Sequence, residues 1–204
     1  MMLLPIYRSA VRQFDSRVRA VRPEQWTIST PDDDWDVHRL VRHVILGQSA
    51  VPNIIDGVVP TPSVAQTPSA AVAGADRTAP ELVDDWASAS VAAVTALTQV
   101  EYRDQLVHLP DGTTSVEEMG WRLATDLTVH AWDLARAVDA PDEFPNDLLG
   151  HVLEHAKQSA DSWFPPNRYA PAIPVPGCTD DLTELLALTG RNRWWRRSAR
   201  NASA

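Results

Sequence analysis

The chain has 204 residues, of which 18 are basic and 27 acidic, so its formal net charge is −9. A surface this acidic argues against a general affinity for nucleic acid or for anionic membranes. A chain of this length predicts one domain with an interior large enough to fold without disulfides or structural metals.

The only cysteine is Cys178, which excludes an intramolecular disulfide and favours a reducing compartment. No stretch approaches the roughly 18 apolar residues that a membrane helix needs. The N-terminal stretch also lacks the basic segment that precedes the apolar part of a signal peptide. We therefore expect a cytoplasmic protein with neither a membrane nor a nucleic-acid partner.

Apolar side chains recur at helical spacing in six stretches, and no convincing strand alternation is present, so the predicted fold class is all-α. The predicted helices cover residues 3–22, 35–56, 81–99, 116–138 and 146–162, with a short last helix around 182–188. We predict a single helical domain over residues 1–195 and a disordered basic tail over residues 196–204.

Four of the helix ends are predicted from residues that commonly cap helices. Asp34 is the expected N-cap of the second helix, and Thr179 that of the last one. Ser115 and Glu118 have the spacing of a capping box at the start of the central helix. Gly190 is expected to end the last helix.

Three segments between or after the helices stand out by composition. Residues 57–80 are rich in Pro, Ala, Ser and Thr and predict a long exposed crossover loop of the kind that often forms a lid. Residues 101–113 predict an extended connector with a Pro-Asp-Gly turn. Arginines surround Trp194 and Trp195 near the C-terminus; this segment could bind an anion, but we expect a frayed tail with one tryptophan docked on the bundle. These arginines are residues 191, 193, 196, 197 and 200.

Asp126 and His130 lie four residues apart in the central helix and therefore share one of its faces. His43 lies on or beside the apolar face of the second helix. Two imidazoles and a carboxylate would suit a divalent metal and leave open positions for water or substrate. On spacing alone the simpler interpretation is a hydrogen bond between Asp126 and His130, with His43 at the surface.

Other candidate site residues have simpler interpretations. His151, Glu154 and His155 fit the H-x-x-E-H pattern of inverted zinc proteases, but Glu154 and His155 lie in a polar stretch that favours a surface location. Cys178 lies in a turn and is more typical of an apolar filler than of a nucleophile. Asp133 is expected to pair with an arginine of the same helix and is assigned no chemistry.

Two motifs together resemble a known family. They are W-D-V-x-x-L-V-x-H from Trp35 to His43 and D-L-x-V-H-A-W-D-L-A-R-A from Asp126 to Ala137. The chain resembles the DinB-like metalloproteins over residues 5–195. More narrowly, it is similar to the actinobacterial branch related to the metal-binding domain of mycothiol-dependent maleylpyruvate isomerase.

The resemblance implies a DinB-like four-helix bundle that holds zinc, or in second place nickel, through His43, Asp126 and His130. It further implies an enzyme that uses a thiol such as mycothiol, either to isomerise a small electrophilic molecule or to transfer the thiol to it. The resemblance implies a monomer or a homodimer. A metal-dependent hydrolase and a non-catalytic metal- or ligand-binding bundle are the alternatives. The isomerase has a glutamate at the position of Asp126 and a further C-terminal domain, so we expect a different substrate here.

Overall fold

The computed structural model describes residues 2–32, 35–58, 78–101, 104–163, 169–175, 177 and 179–197, with the backbone alone for residues 160–163. Its helices are α1 (Leu3–Val18), α2 (Val37–Ile55), α3 (Ala79–Gln99), α4 (Val116–Val138), α5 (Asn146–Trp163) and α6 (Asp181–Leu188). A two-stranded hairpin, β1 (Leu106–Leu109) and β2 (Gly112–Ser115), lies between α3 and α4. The predicted all-α class is confirmed, with this hairpin as an addition.

The first four helices form the bundle. Helix α1 packs against α4 and α2 packs against α3, while contacts between α2 and α4 and between α1 and α3 close the ring. The interior is filled by large apolar side chains that water does not reach, among them Phe14, Leu40, Trp86, Leu127 and Trp132. Helix α5 lies against α1 and α4, and the short α6 packs on α5. The predicted DinB-like bundle with an extra C-terminal helix is confirmed. Most of the predicted crossover loop, residues 59–77, lies outside the described residues.

The end of α1 differs from the prediction. The helix ends at Val18 rather than at residue 22. The amides of Ala20 and Val21 bond to carbonyls three residues back, which tightens the last turn and ends the regular helix. Pro23 then starts a separate 3-10 turn, Pro23–Gln25.

Two N-caps lie at different residues from those predicted. Asp36 caps α2, and its Oδ1 accepts the Arg39 amide at 2.8 Å, whereas Asp34 lies outside the described residues. Asp180 rather than Thr179 caps α6, and its Oδ1 accepts the Thr183 amide at 2.9 Å. A carboxylate also complements the positive end of the helix dipole, which favours aspartate over the neighbouring threonine.

The extended connector predicted at residues 101–113 forms a β-hairpin from Leu106 onward, and this pairing was not predicted. β1 and β2 pair antiparallel from Leu106 with Ser115 to Leu109 with Gly112, and the predicted Pro-Asp-Gly turn joins them. Each strand has only 4 residues, which is too short for a period of two to stand out in sequence. The hairpin leads directly into α4 because Ser115 ends β2 and caps the helix.

Ser115 is the N-cap of α4 as predicted, and its Oγ accepts the Glu118 amide at 3.1 Å. Glu118, however, does not reach back to complete a capping box. Its carboxylate instead accepts hydrogen bonds from Arg122 Nε at 3.0 Å and from His155 Nε2 at 2.8 Å. Two charge-assisted partners outcompete a single backbone amide for this carboxylate.

Within the described part of the chain, no helix combines the length and the apolar character needed to cross a membrane.

Candidate metal centre

Helices α2 and α4 bring three potential metal ligands together. His43 comes from α2, while Asp126 and His130 come from one face of α4. One donor atom of each side chain lies within 4.8 Å of the donor atoms of the other two. The structure thus places the three predicted residues at one point of the bundle. Metal binding itself stays a prediction.

The spacing of these donors suits a divalent cation. His130 Nε2 and Asp126 Oδ1 are 3.5 Å apart. Two donors at about 2.1 Å from a tetrahedral zinc ion would be about 3.4 Å apart. Two imidazoles and one carboxylate are also a donor set typical of catalytic zinc, which keeps coordination positions open. The residues present therefore fit the group that the sequence predicts.

Asp133 lies behind His130, and the prediction that it pairs with an arginine of its own helix was wrong, because its partner is Arg191. Asp133 is completely buried, and its Oδ2 lies 3.1 Å from His130 Nδ1. A carboxylate only accepts hydrogen bonds, so Nδ1 carries a hydrogen, and Nε2 is the ring nitrogen that faces Asp126. Metal-bound histidines in proteins are commonly oriented by such a carboxylate.

Arg191 compensates the charge of Asp133. Its side chain is only 4% exposed, and its Nη2 donates to Asp133 Oδ2 at 3.2 Å and to Asp32 Oδ2. The prediction of a frayed tail was therefore wrong at this residue. The chain leaves α6 through Gly190 at φ +73°, which turns Arg191 inward. Farther along, Trp195 packs against the core as one docked tryptophan was predicted to do, and Trp194 is exposed.

Tyr169 contacts Asp126, the carboxylate of the predicted ligand set, directly. Its hydroxyl donates to Asp126 Oδ1 at 2.9 Å, and its ring lies 5.5 Å from the guanidinium carbon of Arg191. Tyr169 could not be predicted as a site residue, since it lies in an irregular, proline-rich stretch with no periodicity. For Arg191 the sequence contains only a weak sign, its position directly after Gly190 at the end of α6.

Trp35 forms an aromatic wall of the site. Its ring centroid lies 4.7 Å from that of His43 and 6.1 Å from that of His130, nearly parallel to the latter. The guanidinium carbon of Arg39 lies 5.3 Å from the centroid of the Trp35 ring. The tryptophan of the first motif therefore packs against both histidines.

The electrostatics of the site follow from its burial and its three carboxylates. Burial acts to lower the pKa of His130, but Asp126, Asp133 and Asp32 outweigh it and raise that pKa above its ordinary value. Burial raises the pKa of Asp32 despite the opposing charge of Arg191. The site therefore attracts positive charge, whether a proton or a metal cation.

A second set of three potential ligands, Asp32, His130 and Asp133, shares the same histidine. Arg191 already donates to both of its carboxylates. The guanidinium of Arg191 thus occupies the place that a metal would need in this second set. The second set therefore supports the set of His43, Asp126 and His130.

The H-x-x-E-H pattern does not form a site. Glu154 is exposed, and His151 Nδ1 donates to the carbonyl of Asp147 at 2.8 Å. The predicted surface location is wrong for His155, whose side chain is 12% exposed and stacks on Trp121 at 5.4 Å between centroids. Cys178 lies outside the described residues.

Fold and site together define a DinB-like helical bundle with a His₂Asp cluster between two of its helices. The family model described as "Mycothiol maleylpyruvate isomerase N-terminal domain" matches residues 7–135, a range that includes His43, Asp126 and His130. The chain belongs to this family, and the resemblance inferred from the two motifs is confirmed.

Two solved structures share the fold. A crystal structure of the mycothiol-dependent maleylpyruvate isomerase matches with a TM-score of 0.63 and 16% identity, over 74% of this chain and 66% of that one. A histidine-to-alanine variant of that isomerase matches with the same TM-score and coverage and 15% identity. This chain thus spans slightly less than two thirds of the isomerase. The comparison with curated proteins finds no match.

Proposed function

We propose that the protein is a divalent-metal-dependent enzyme that uses a low-molecular-weight thiol of the mycothiol type to isomerise, or transfer the thiol to, a small electrophilic molecule. The observation that carries this proposal is the convergence of His43, Asp126 and His130 on one point, with donor atoms within 4.8 Å of one another. Family membership supports the thiol, since the structurally similar isomerase is named as mycothiol-dependent.

His43, Asp126 and His130 would hold the metal, with zinc as the first expectation and nickel as the second. A bound divalent cation would supply Lewis acidity that lowers the pKa of a coordinated thiol and so yields a thiolate at neutral pH. Asp133 keeps the hydrogen of His130 on Nδ1, which leaves Nε2 available as a ligand. Trp35 restricts water on one side of the two histidines.

The chemistry of an isomerisation balances without any further reactant. The thiolate sulfur adds to one carbon of a double bond conjugated with a carbonyl group, so that a C–S bond forms as the π bond breaks. The remaining single bond rotates, the C–S bond then breaks, and the double bond re-forms in the other geometry. The thiolate leaves unchanged, and a transferase would instead protonate the adduct and release it.

We place this activity in the cytoplasm, where such thiols stay reduced.

The proposal is tested by calorimetric titration of mycothiol into the metal-loaded protein and into the same protein after EDTA treatment. We expect binding with release of protons only in the metal-loaded sample, because coordination deprotonates the thiol. Equal thiol binding with and without metal would contradict a metal-bound thiol. Metal binding without any thiol binding would identify a metal-binding bundle instead of a thiol enzyme.

A matched pair of histidine variants provides the control. His130→Ala should abolish both metal and thiol binding. His108→Ala should leave both unchanged, because His108 is an exposed residue of β1 that lies outside both ligand clusters of the described chain.

A further inference from the structure

We propose that the C-terminal segment, in its described residues 169–175 and 179–191, is a functional part of the metal centre, with Tyr169 and Arg191 as positioning residues that hold Asp126 and His130 in their ligand orientations. This inference rests on the proposed function, since it presupposes a metal at the site. Both residues lie beyond residues 7–135, the range that the family model matches. The three ligands would thus come from the family domain, and their support from a segment that follows it.

The first line of support runs from Arg191 through Asp133 to His130. Arg191 Nη2 donates to Asp133 Oδ2 at 3.2 Å, and the same oxygen lies 3.1 Å from His130 Nδ1. One carboxylate oxygen thus accepts from both side chains, and the two hydrogen bonds together fix the position of Asp133. A fixed carboxylate holds the His130 ring at Nδ1 and so directs Nε2 toward Asp126. Arg191 therefore orients His130 through Asp133.

The second line of support runs from Tyr169 to Asp126. The Tyr169 hydroxyl donates to Asp126 Oδ1 at 2.9 Å, and Tyr169 is 8% exposed. A carboxylate oxygen has two lone pairs, so this bond leaves one available for a metal. Tyr169 thus limits the rotation of the ligand whose side chain is otherwise partly exposed.

Tyr169 and Arg191 belong to one folded unit. The Ile173 amide donates to the Ala187 carbonyl at 2.9 Å, and the Arg191 amide donates to the Leu186 carbonyl at 2.7 Å. Gly190 lies against Ala170 so closely that a Cβ on the glycine would be 2.6 Å from the Cβ of Ala170. The stretch that starts at Tyr169 is therefore packed against the end of α6, next to Arg191.

The test is the binding of cobalt(II), which takes zinc sites and reports their geometry by visible absorption. Affinity is measured by competition with a chromophoric chelator, for the full chain and for Tyr169→Phe and Arg191→Lys. We expect each variant to bind cobalt(II) about 10- to 100-fold more weakly, as for other losses of outer ligand support. The absorption bands should shift as well, because the ligands lose their fixed orientation.

Two controls remove similar groups elsewhere. Tyr7→Phe removes a buried tyrosine hydroxyl that bonds to Gln48, and Arg193→Lys replaces a guanidinium that pairs with Asp142 at 2.6 Å. Both should retain the affinity and the spectrum of the unmodified chain. Tyr169→Phe keeps the volume of the ring, so it decides the question even if Arg191→Lys fails to fold.

The outcomes separate this inference from the proposed function. If the unmodified chain binds cobalt(II) and Tyr169→Phe binds it equally tightly with the same spectrum, the inference is overturned while the metal site stands. Equal weakening in the two control variants would also overturn it, because the effect would then be general loosening of the fold. If the unmodified chain binds no cobalt(II), both the inference and the proposed function are overturned.

Discussion

His130 has a different carboxylate at each nitrogen of its ring, with Asp126 near Nε2 and Asp133 near Nδ1. The two carboxylates have different roles because of their surroundings. Asp126 is partly exposed and can meet a ligand, whereas Asp133 is completely buried and bonded to Arg191. One histidine thus joins the open side of the site to its buried support.

At this scale we predict the effect of Asp133→Asn. The amide oxygen can still accept from His130 Nδ1, but the charge that pairs with Arg191 is lost, and Asp32 remains as its partner. We expect a loss of about 1–3 kcal/mol in the free energy of unfolding of the metal-free protein. Urea denaturation of both proteins in the presence of EDTA measures this difference in the free energy of unfolding.

Asp139→Asn is the control for this change. Asp139 pairs with Arg197 at 3.2 Å, but its side chain is 77% exposed. Asparagine also tolerates its positive φ of 57°. We expect a change of less than about 0.5 kcal/mol. A loss for Asp133→Asn no larger than for this control would contradict the assigned role of Asp133.

Sequence alone predicted the cluster of His43, Asp126 and His130 but not the residues that support it. Asp126 and His130 share a helix face at a readable spacing, and His43 belongs to a motif. Arg191 and Tyr169 reach the site only through the fold, because each meets a partner far away in the chain. A contact between residues so far apart in the chain produces no periodic pattern in the local sequence.

At the scale of single elements, the first turn of α4 carries a pH-sensitive contact. A hydrogen bond with His155 lowers the pKa of Glu118 below its ordinary value of 4.5, and Arg122 adds to the effect. A carboxyl group with a lowered pKa stabilises the folded state above its ordinary pKa, and this contribution is lost as the pH falls through the lowered value. Glu118 therefore favours folding at neutral pH.

We expect Glu118→Gln to be less stable than the unmodified protein at neutral pH, with a difference that shrinks as the pH falls below the ordinary pKa of this carboxyl group. Chemical denaturation at a series of pH values measures this difference. Glu154→Gln, at an exposed position of α5, serves as the control and should show little difference at any pH. A difference for Glu118→Gln that stays constant over the whole range would contradict the contact.

Two glycines allow a paired test of the end of α6. Alanine at Gly190 would take a φ of +73° and place its Cβ 2.7 Å from the carbonyl oxygen of Ala170. We expect Gly190→Ala to lower the free energy of unfolding by about 2 kcal/mol or more.

A Cβ at Gly47, inside α2, would meet no atom within 4 Å. We expect Gly47→Ala to stabilise the protein by about 0.5–1 kcal/mol. Thermal denaturation of both variants measures these changes, and equal effects would contradict the account.

Elements were predicted more accurately in their interiors than at their ends. The bounds of α4 agree with the prediction because its apolar pattern is long and Ser115 marks its start. The starts of α2 and α6 were displaced because several Asp and Thr residues compete there for the cap. The hairpin was missed since its two strands depend on each other and on their contact with α2.

At the scale of the whole molecule, the metal is expected to stabilise the bundle because its ligands come from two different helices. A ligand present at about 100 times its dissociation constant adds about 2.7 kcal/mol, which for a chain of this size corresponds to roughly 5–10 °C in Tm. We therefore expect EDTA to lower the Tm by this amount and added zinc to restore it. The His130→Ala variant should show no response to either, and an equal response would place the metal elsewhere.

The metal content of the purified protein is the most direct test of a metal centre between α2 and α4. Elemental analysis should find about one zinc or nickel ion per chain in the unmodified protein and in His108→Ala. It should find close to none in His43→Ala and His130→Ala, since each loses one of three ligands. Absence of zinc and nickel from the unmodified protein, or an unchanged metal content in His130→Ala, would contradict the metal centre between α2 and α4.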